Sequence, residues 1–489
     1  MSKRKLWLTN NWFGGYSDNK YTGTFASYQS SKGVEVRKEP GSISCAFLSE
    51  KDSASVVTDL VRSFVTIQST GDVIGFGDTG KIYRNATGSG TWVNAYTDSG
   101  SAAILGAWEF NGQLYWATAT NLHRIAVADI DADWTGDVTE DYKTFTNGNT
   151  NAHPMIELFN KLYIGDGNLL AELDSLGTFT ADKLTIFGDE EIRALTFANS
   201  YMRIFARRST NVDHGRQYFW NGITDSYTES VLWEGLPIHA AINKSGIDYV
   251  IAGRRPRMYA SSGQSRQLLK VFPGVTEAQS LFMNNEAIAL YNDLIVFGPG
   301  DANSSATTSG RGVWTWGSLN KDYPEVLNFD YPTSNDNATD EIGAVHSSNG
   351  KLYQSWKNAS TYGIDVVNTA KYYTGAEVTM RVFNGDLASR KKEIIEMFAA
   401  FDQLATGEKI QVFLRSNLVA AWGSAQMTID YDGNALDQGV WHKYVNAPFD
   451  SDIWNYLEAK IVLTPGSSAT TNVEFTEFGV SYEEVSNLI

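Results

Sequence analysis

The chain has 489 residues, 42% of them hydrophobic and 13% aromatic, so material for a large core is ample. Its net charge of -17, from 39 basic and 56 acidic residues, argues against gripping phosphates along nucleic acid, which needs a basic surface. One cysteine, Cys45, excludes an internal disulfide and fits assembly in a reducing cytoplasm, and the lack of about 18 consecutive apolar residues leaves no span for a membrane helix.

In chain order, Met1-Ser2-Lys3-Arg4-Lys5 is a charged start, but the LWLTNNWFGG that follows is too short an apolar run for an export signal. Residues 1–33 are rich in Asn, Ser, Gly and Tyr without periodicity and are expected to form an extended arm. Val34 to Lys38 alternate as a short strand, ended by the turn Glu39-Pro40-Gly41-Ser42, and Ile43 to Leu48 resume it.

A complete antiparallel meander lies between His153 and Phe187. Strands are expected at Met155 to Phe159, Leu162 to Gly165, Leu169 to Leu173 and Lys183 to Phe187, with turns at Asn160-Lys161 and Asp166-Gly167-Asn168. A small sheet apolar on both faces cannot hide its own surface, so its sequence neighbours should be copies of it.

The copies are marked by a polar turn before an apolar or aromatic pair. They occur at Thr70-Gly71, Asn111-Gly112, Asn160-Lys161, Asn199-Ser200, Ser245-Gly246, Asn292-Asp293 and Asn349-Gly350. A spacing of about 39 to 57 residues suits the blades of a β-propeller better than a helical repeat. The expected fold is therefore all-β: an arm with first strands over 1–55, a propeller of about seven blades over 56–375, and a C-terminal antiparallel β-sandwich over 376–489. Strands from the two ends of the repeat region should share a blade, which removes the free edges. The loop Gly298 to Gly312 reads as a flexible rim insertion.

Beyond Gly375 the repeat stops. Glu377 to Phe383, Lys409 to Arg415, Trp441 to Val445, Tyr456 to Leu463 and Asn472 to Tyr482 alternate as strands. Ile394, Met397, Phe398 and Phe401 share a helical face, yet their place between strands favours a strand.

Candidate chemistry is sparse. Asp129, Asp131, Asp133, Asp137 and Glu140 stand at the first, third, fifth, ninth and twelfth places of a calcium-loop spacing, which makes Ca²⁺ the one candidate ion. Trp134 holds the sixth place, where the sharp turn wants glycine. Asp430-Tyr431-Asp432-Gly433-Asn434 is a weaker case of the same kind. The six histidines are scattered, without ligand spacing to one another or to Cys45.

For a carbohydrate-active enzyme, Arg254-Arg255 with Arg257, or Arg203 with Arg207-Arg208, are the arginines on offer, and the sialidase repeat survives only as Thr91-Trp92. No catalytic residue and no organic cofactor is expected, and the chain reads as a non-enzyme. A glycan-binding or receptor-binding module is the main alternative, marked by exposed rim aromatics.

Three features in order resemble the propeller-type tail proteins of tailed bacteriophages, most nearly the tail-nozzle or tail-hub family. They are Phe13-Gly14-Gly15-Tyr16 with the strand and turn from Val34 to Gly41, then the run of repeats, then the closing strands Lys409 to Arg415 and Phe475 to Tyr482. The opening looks like that family's lead-in to its first blade. The resemblance implies a structural virion protein of the tail, made in the host cytoplasm. It implies a ring of copies in contact with portal or adaptor and other tail proteins, bordering a channel through which DNA passes without specific binding. It brings no catalytic residues.

Overall fold

The computed structural model describes residues 4–17, 21, 26–38, 41–52, 56–87, 90–209, 213–272, 283–298, 311–337, 339–385, 390–417, 421–431, 441–445 (backbone only) and 454–484. The expected rim insertion after Gly298 and the turn from Asp432 to Asn434 lie outside them. Among the described residues there is no α-helix, and the regular structure is almost wholly strand.

Seven four-stranded antiparallel sheets follow one another along the chain. Sheet 1 comprises Val61–Thr66, Val73–Gly77, Lys81–Asn85 and Trp92–Thr97; sheet 2, Gly106–Phe110, Gln113–Ala117, Asn121–Ala126 and Thr139–Thr144. Sheet 3 comprises Met155–Leu158, Lys161–Asp166, Leu169–Asp174 and Phe179–Thr185; sheet 4, Glu190–Ala198, Tyr201–Arg208, His214–Trp220 and Glu229–Glu234. Sheet 5 comprises Ile238–Lys244, Ile247–Ala252, Arg257–Ser262 and Ser265–Val271; sheet 6, Ile288–Tyr291, Leu294–Phe297, Gly312–Gly317 and Val326–Pro332. Sheet 7 takes Glu341–Ser348, Lys351–Asn358 and Thr361–Tyr372 from the end of the repeats and Phe47–Lys51 from before them.

Each of the seven turns marked in the sequence connects the first and second strands of one of these sheets. Six of them are two-residue turns with both residues at positive φ, as at Asn111 and Gly112 (49° and 72°) and Asn349 and Gly350 (51° and 73°). This geometry matches the twist of paired strands, and Asn and Gly adopt it at least cost. In sheet 3 the turn is Phe159-Asn160, one residue earlier than expected. Pairing Leu158 with Lys161 keeps Leu162 and Ile164 fully buried, and that gain outweighs the strain of a phenylalanine at φ 53°.

Second strands are buried on both faces, while fourth strands are largely more exposed, as in Phe179–Thr185, except Val326–Pro332 of sheet 6, which is buried throughout. This is the pattern of sheets stacked face to face with their last strands outermost. The first strand of each sheet touches the first strand of the next, and that of sheet 7 touches that of sheet 1, so the seven contacts close a ring. At the closure the position of a Cβ on Gly343 falls 2.1 Å from the Val61 carbonyl oxygen, so only glycine lets the two strands approach. Asn349 Nδ2 also donates to the Gly71 carbonyl (2.9 Å) across the same junction.

The expected arm differs most from expectation. Residues 1–33 contribute three strands, Lys5–Thr9, Gly15–Tyr16 and Ser27–Lys32, and all join the C-terminal strands. One six-stranded sheet contains Trp441–Val445, Lys392–Phe401, Glu474–Glu484, Ile43–Cys45 and Val34–Glu35, with Lys5–Thr9 beside Glu474–Glu484. The other runs Gly15–Tyr16, Ser27–Lys32, Ala376–Met380, Leu457–Thr464, Lys409–Ser416 and Met427–Asp430. Gly15–Tyr16 pairs in parallel with Ser27–Lys32, so this region is not wholly antiparallel. Lys392–Phe401 is the strand favoured over a helix.

Instead of leading into the first sheet, the described residues between Phe13 and Arg37 dock on sheet 6. Phe13 stacks on Tyr323 (5.2 Å), Tyr16 packs on Trp314 (5.0 Å), and Tyr28 donates to Asn328 Oδ1 (2.6 Å). A single apolar core runs through both six-stranded sheets and on into sheets 5, 6 and 7.

Candidate functional site

Four first strands carry a β-bulge at the same place, near their beginning. The pairing slips between Val61 and Ser63, Ile192 and Ala194, Ile238 and Ala240, and Ile342 and Val345. The residues inserted in the first three are Arg62, Arg193 and His239. A bulge re-aims the side chain it inserts, and first strands line the ring axis, so these groups are directed to one end of the axial space.

Arg193 is 4% exposed, and its Nη1 lies 3.7 Å from Glu191 Oε1. Glu191 is already committed, accepting from Arg207 Nε (2.6 Å) and Asn151 Nδ2 (2.7 Å). Arg193 Nε has no hydrogen-bond partner among the described residues. Burial pushes the Arg193 guanidinium down to about 9, and Arg207 and Arg62 push the same way against Glu191 and Glu286. Arginine keeps its proton at neutral pH even so, and the shift marks a buried charge that its surroundings do not neutralise.

Glu286, immediately before sheet 6, is pushed up to about 7 by burial against the pull of Arg193. His239 Nε2 donates to the Gly253 carbonyl (2.9 Å). Burial, then Arg207, lowers the pKa of its ring to about 3. Arg62 pairs loosely with Asp78 (3.6 Å). Groups of sheets 1, 4 and 5, with Glu286 just before sheet 6, therefore enter one electrostatic cluster around Arg193.

The carboxylates singled out in the sequence are arranged otherwise. Asp129 ends a 3₁₀ turn, and Asp131 and Asp133 cap the backbone N–H groups of Asp133 (2.8 Å) and Thr135 (3.0 Å). Asp137 is exposed, and Glu140 accepts from Tyr96 Oη, Ser99 N (3.1 Å) and Ser99 Oγ (2.8 Å). Trp134 organises this loop: it is fully buried, donates through N to the Ala95 carbonyl (3.0 Å) and through Nε1 to the Asp131 carbonyl (3.1 Å). Among the described residues no group of three or more His, Cys, Asp or Glu side chains is placed to share an ion.

The arginines offered for acidic sugars are tied between or within sheets. Arg203 pairs with Asp248 of sheet 5, Arg207 with Glu191, and Arg208 with Asp189 (3.0 Å) and Asp213 (3.5 Å). Arg254 and Arg255 lie in the loop before Arg257–Ser262. Trp92 of the vestigial sialidase repeat is a core residue whose Nε1 donates to Asp52 (2.8 Å).

The axial groups escaped the sequence reading, although a signal exists. Val61-Arg62-Ser63, Ile192-Arg193-Ala194, Ile238-His239-Ala240 and Ile342-Gly343-Ala344 repeat a β-branched residue, a variable one and a small one.

No family model matches the chain, and no curated protein matches it. Among solved structures it is similar to the Pan2 WD40 domain of Neurospora crassa, at 7% identity and TM-score 0.45 over 66% of this chain and 97% of that one. It is also similar to the computationally designed Ika8 protein (12% identity, TM-score 0.39, 68% of this chain and 97% of that one). A third is the extracellular domain of BT4673 from B. thetaiotaomicron (11% identity, TM-score 0.45), where the match covers 74% of this chain and 43% of that one.

Proposed function

We propose that the seven four-stranded sheets are the blades of one closed propeller and that the two six-stranded sheets form a sandwich shared by both ends of the chain. On this reading the protein is a structural component of a bacteriophage tail, of the nozzle or hub class, and copies of it form a ring beside the path of DNA. Catalysis is not its task.

The observation that carries the reading is a set of exposed apolar side chains on one rim. Fourteen large apolar side chains are exposed among the described residues. Six of them, Phe159, Leu176, Tyr201, Ile223, Ile247 and Leu319, are 37% to 91% exposed and sit at or beside turns between first and second or third and fourth strands, which in a meander share one rim. A rim of this kind suits burial against another protein. Four of the six are aliphatic and none is tryptophan, which favours a protein neighbour over a sugar, since glycan sites stack rings.

Two further features agree with an assembly role. The net charge of -17 suits a wall that does not hold DNA. The Phe13-Gly14-Gly15-Tyr16 segment that carries the family resemblance is a joint between the two bodies of the fold, which suits a part that bears load.

The test is self-association and incorporation. Leu176→Asp with Ile223→Asp, both exposed, should fold normally yet fail to enter rings or particles when the wild-type protein does. Particles that incorporate the double variant at wild-type level would remove the rim from the account.

A further inference from the structure

We propose that the axial cluster is a binding site for one small oxyanion of the phosphate or sulfate class, seated beside Arg193 and within reach of Arg62 from the far side of the ring. The observations are geometric. Arg62 belongs to the first strand of sheet 1 and Arg193 to the first strand of sheet 4. In a ring closed between sheets 7 and 1, residues on first strands so far apart around it meet only across the axis.

Both are bulge residues at the same end of their strands, so the backbone has been distorted twice to aim a guanidinium at the same space. Arg193 is buried, its Nε is unpartnered among the described residues, and the acid it faces already serves Arg207 and Asn151. Arg62 Nε is likewise buried and unpartnered there. Glu191 and Glu286 supply negative charge nearby, but a buried guanidinium with an unmet donor is still costly, and an oxyanion supplies the missing acceptor. Arginine forks match tetrahedral oxyanions in shape, and the burial of Arg193 favours a free ion over the backbone of a nucleic acid.

This inference is independent of the tail assignment. Isothermal titration of the purified full chain with inorganic phosphate and with sulfate, at ionic strength held constant with chloride, should show one saturable site per chain. Arg193→Gln should abolish it, and Arg62→Gln, which removes a less buried group, should weaken it by about 10-fold or more. A short single-stranded oligonucleotide should give no signal at the same ionic strength. If Arg193→Gln does not fold, Arg62→Gln decides alone. Absence of saturable phosphate or sulfate binding, or an unchanged affinity in Arg62→Gln, overturns the proposal, and binding of the oligonucleotide in place of the free ion overturns the ligand class.

Discussion

Arg37 Nη1 lies 2.9 Å from Asp330 Oδ2, across 293 residues of chain and with both side chains almost fully buried. The remaining donors of Arg37 are used as well: Nε donates to the Gly317 carbonyl (3.2 Å), and Nη2 to the carbonyls of Thr315 (3.3 Å) and Val326 (3.1 Å). Thr315 Oγ1 donates to Asp330 (2.7 Å). The N-terminal segment is thus pinned into sheet 6 by a guanidinium with no polar group left over, which is the condition under which a buried ion pair is tolerated.

Removing one partner leaves the other charge stranded. Arg37→Ala is expected to cost about 3 to 5 kcal/mol, measured by urea unfolding, with Asp330→Asn costing less because the amide can still accept one bond. A loss near zero for Arg37→Ala would mean that the segment is not docked as described.

The strand Phe47–Lys51 completes sheet 7, with Ser49 opposite Val367 and Glu50 opposite Val366. In an antiparallel ladder alternate N–H groups point to the neighbour, and this strand has a neighbour on one side. Of Ser49→Pro and Glu50→Pro, one should therefore cost about 3 kcal/mol and the other distinctly less. Equal and small effects in thermal unfolding would show that the ring is not closed through this strand.

Acid should loosen the axial cluster through His239. Its folded form stays neutral down to about pH 3, held so by burial and by Arg207 and Arg193, while in the unfolded chain it takes a proton near 6.5. The unfolded state therefore binds more protons in that window, and stability falls as pH drops through it. By pH 5 the loss from this group is about 2 kcal/mol. His239→Gln should remove that share of the pH dependence, and parallel wild-type and variant profiles in urea unfolding would contradict the assignment.

The acidic loop should not need an ion. With Trp134 as its anchor, chelation or added calcium is expected to leave the melting temperature unchanged, whereas Trp134→Ala should cost about 3 to 5 kcal/mol. A saturable calcium-induced rise that disappears in Asp131→Asn would reverse this view.

Much of the sheet pattern was legible because its signals are local. Asn111-Gly112 and Asn349-Gly350 announce hairpins by residue type alone, and each predicted turn lies in a sheet of its own. Phe159-Asn160 misled by one residue because burial of Leu162 and Ile164 set the register, and burial is decided by the neighbouring sheets. The N-terminal strands were illegible for a different reason: Lys5–Thr9 pairs with Glu474–Glu484, so no nearby residue betrays it. The axial groups were hidden in the same way, since Arg62 and Arg193 lie on first strands that only the closed ring brings around one axis. The calcium spacing was legible too, and the same loop is anchored by the buried Trp134 at its sixth place.

The central claim is that this ring of sheets exists to be built into a larger one. On the proposed tail assignment, cryo-electron microscopy of intact particles that contain the chain tests it most directly. The account predicts several copies arranged around the DNA path, with the rim bearing Leu176 and Ile223 buried against a neighbour. Purified infectious particles that lack the protein, or that carry it with that rim bare to solvent, would contradict it.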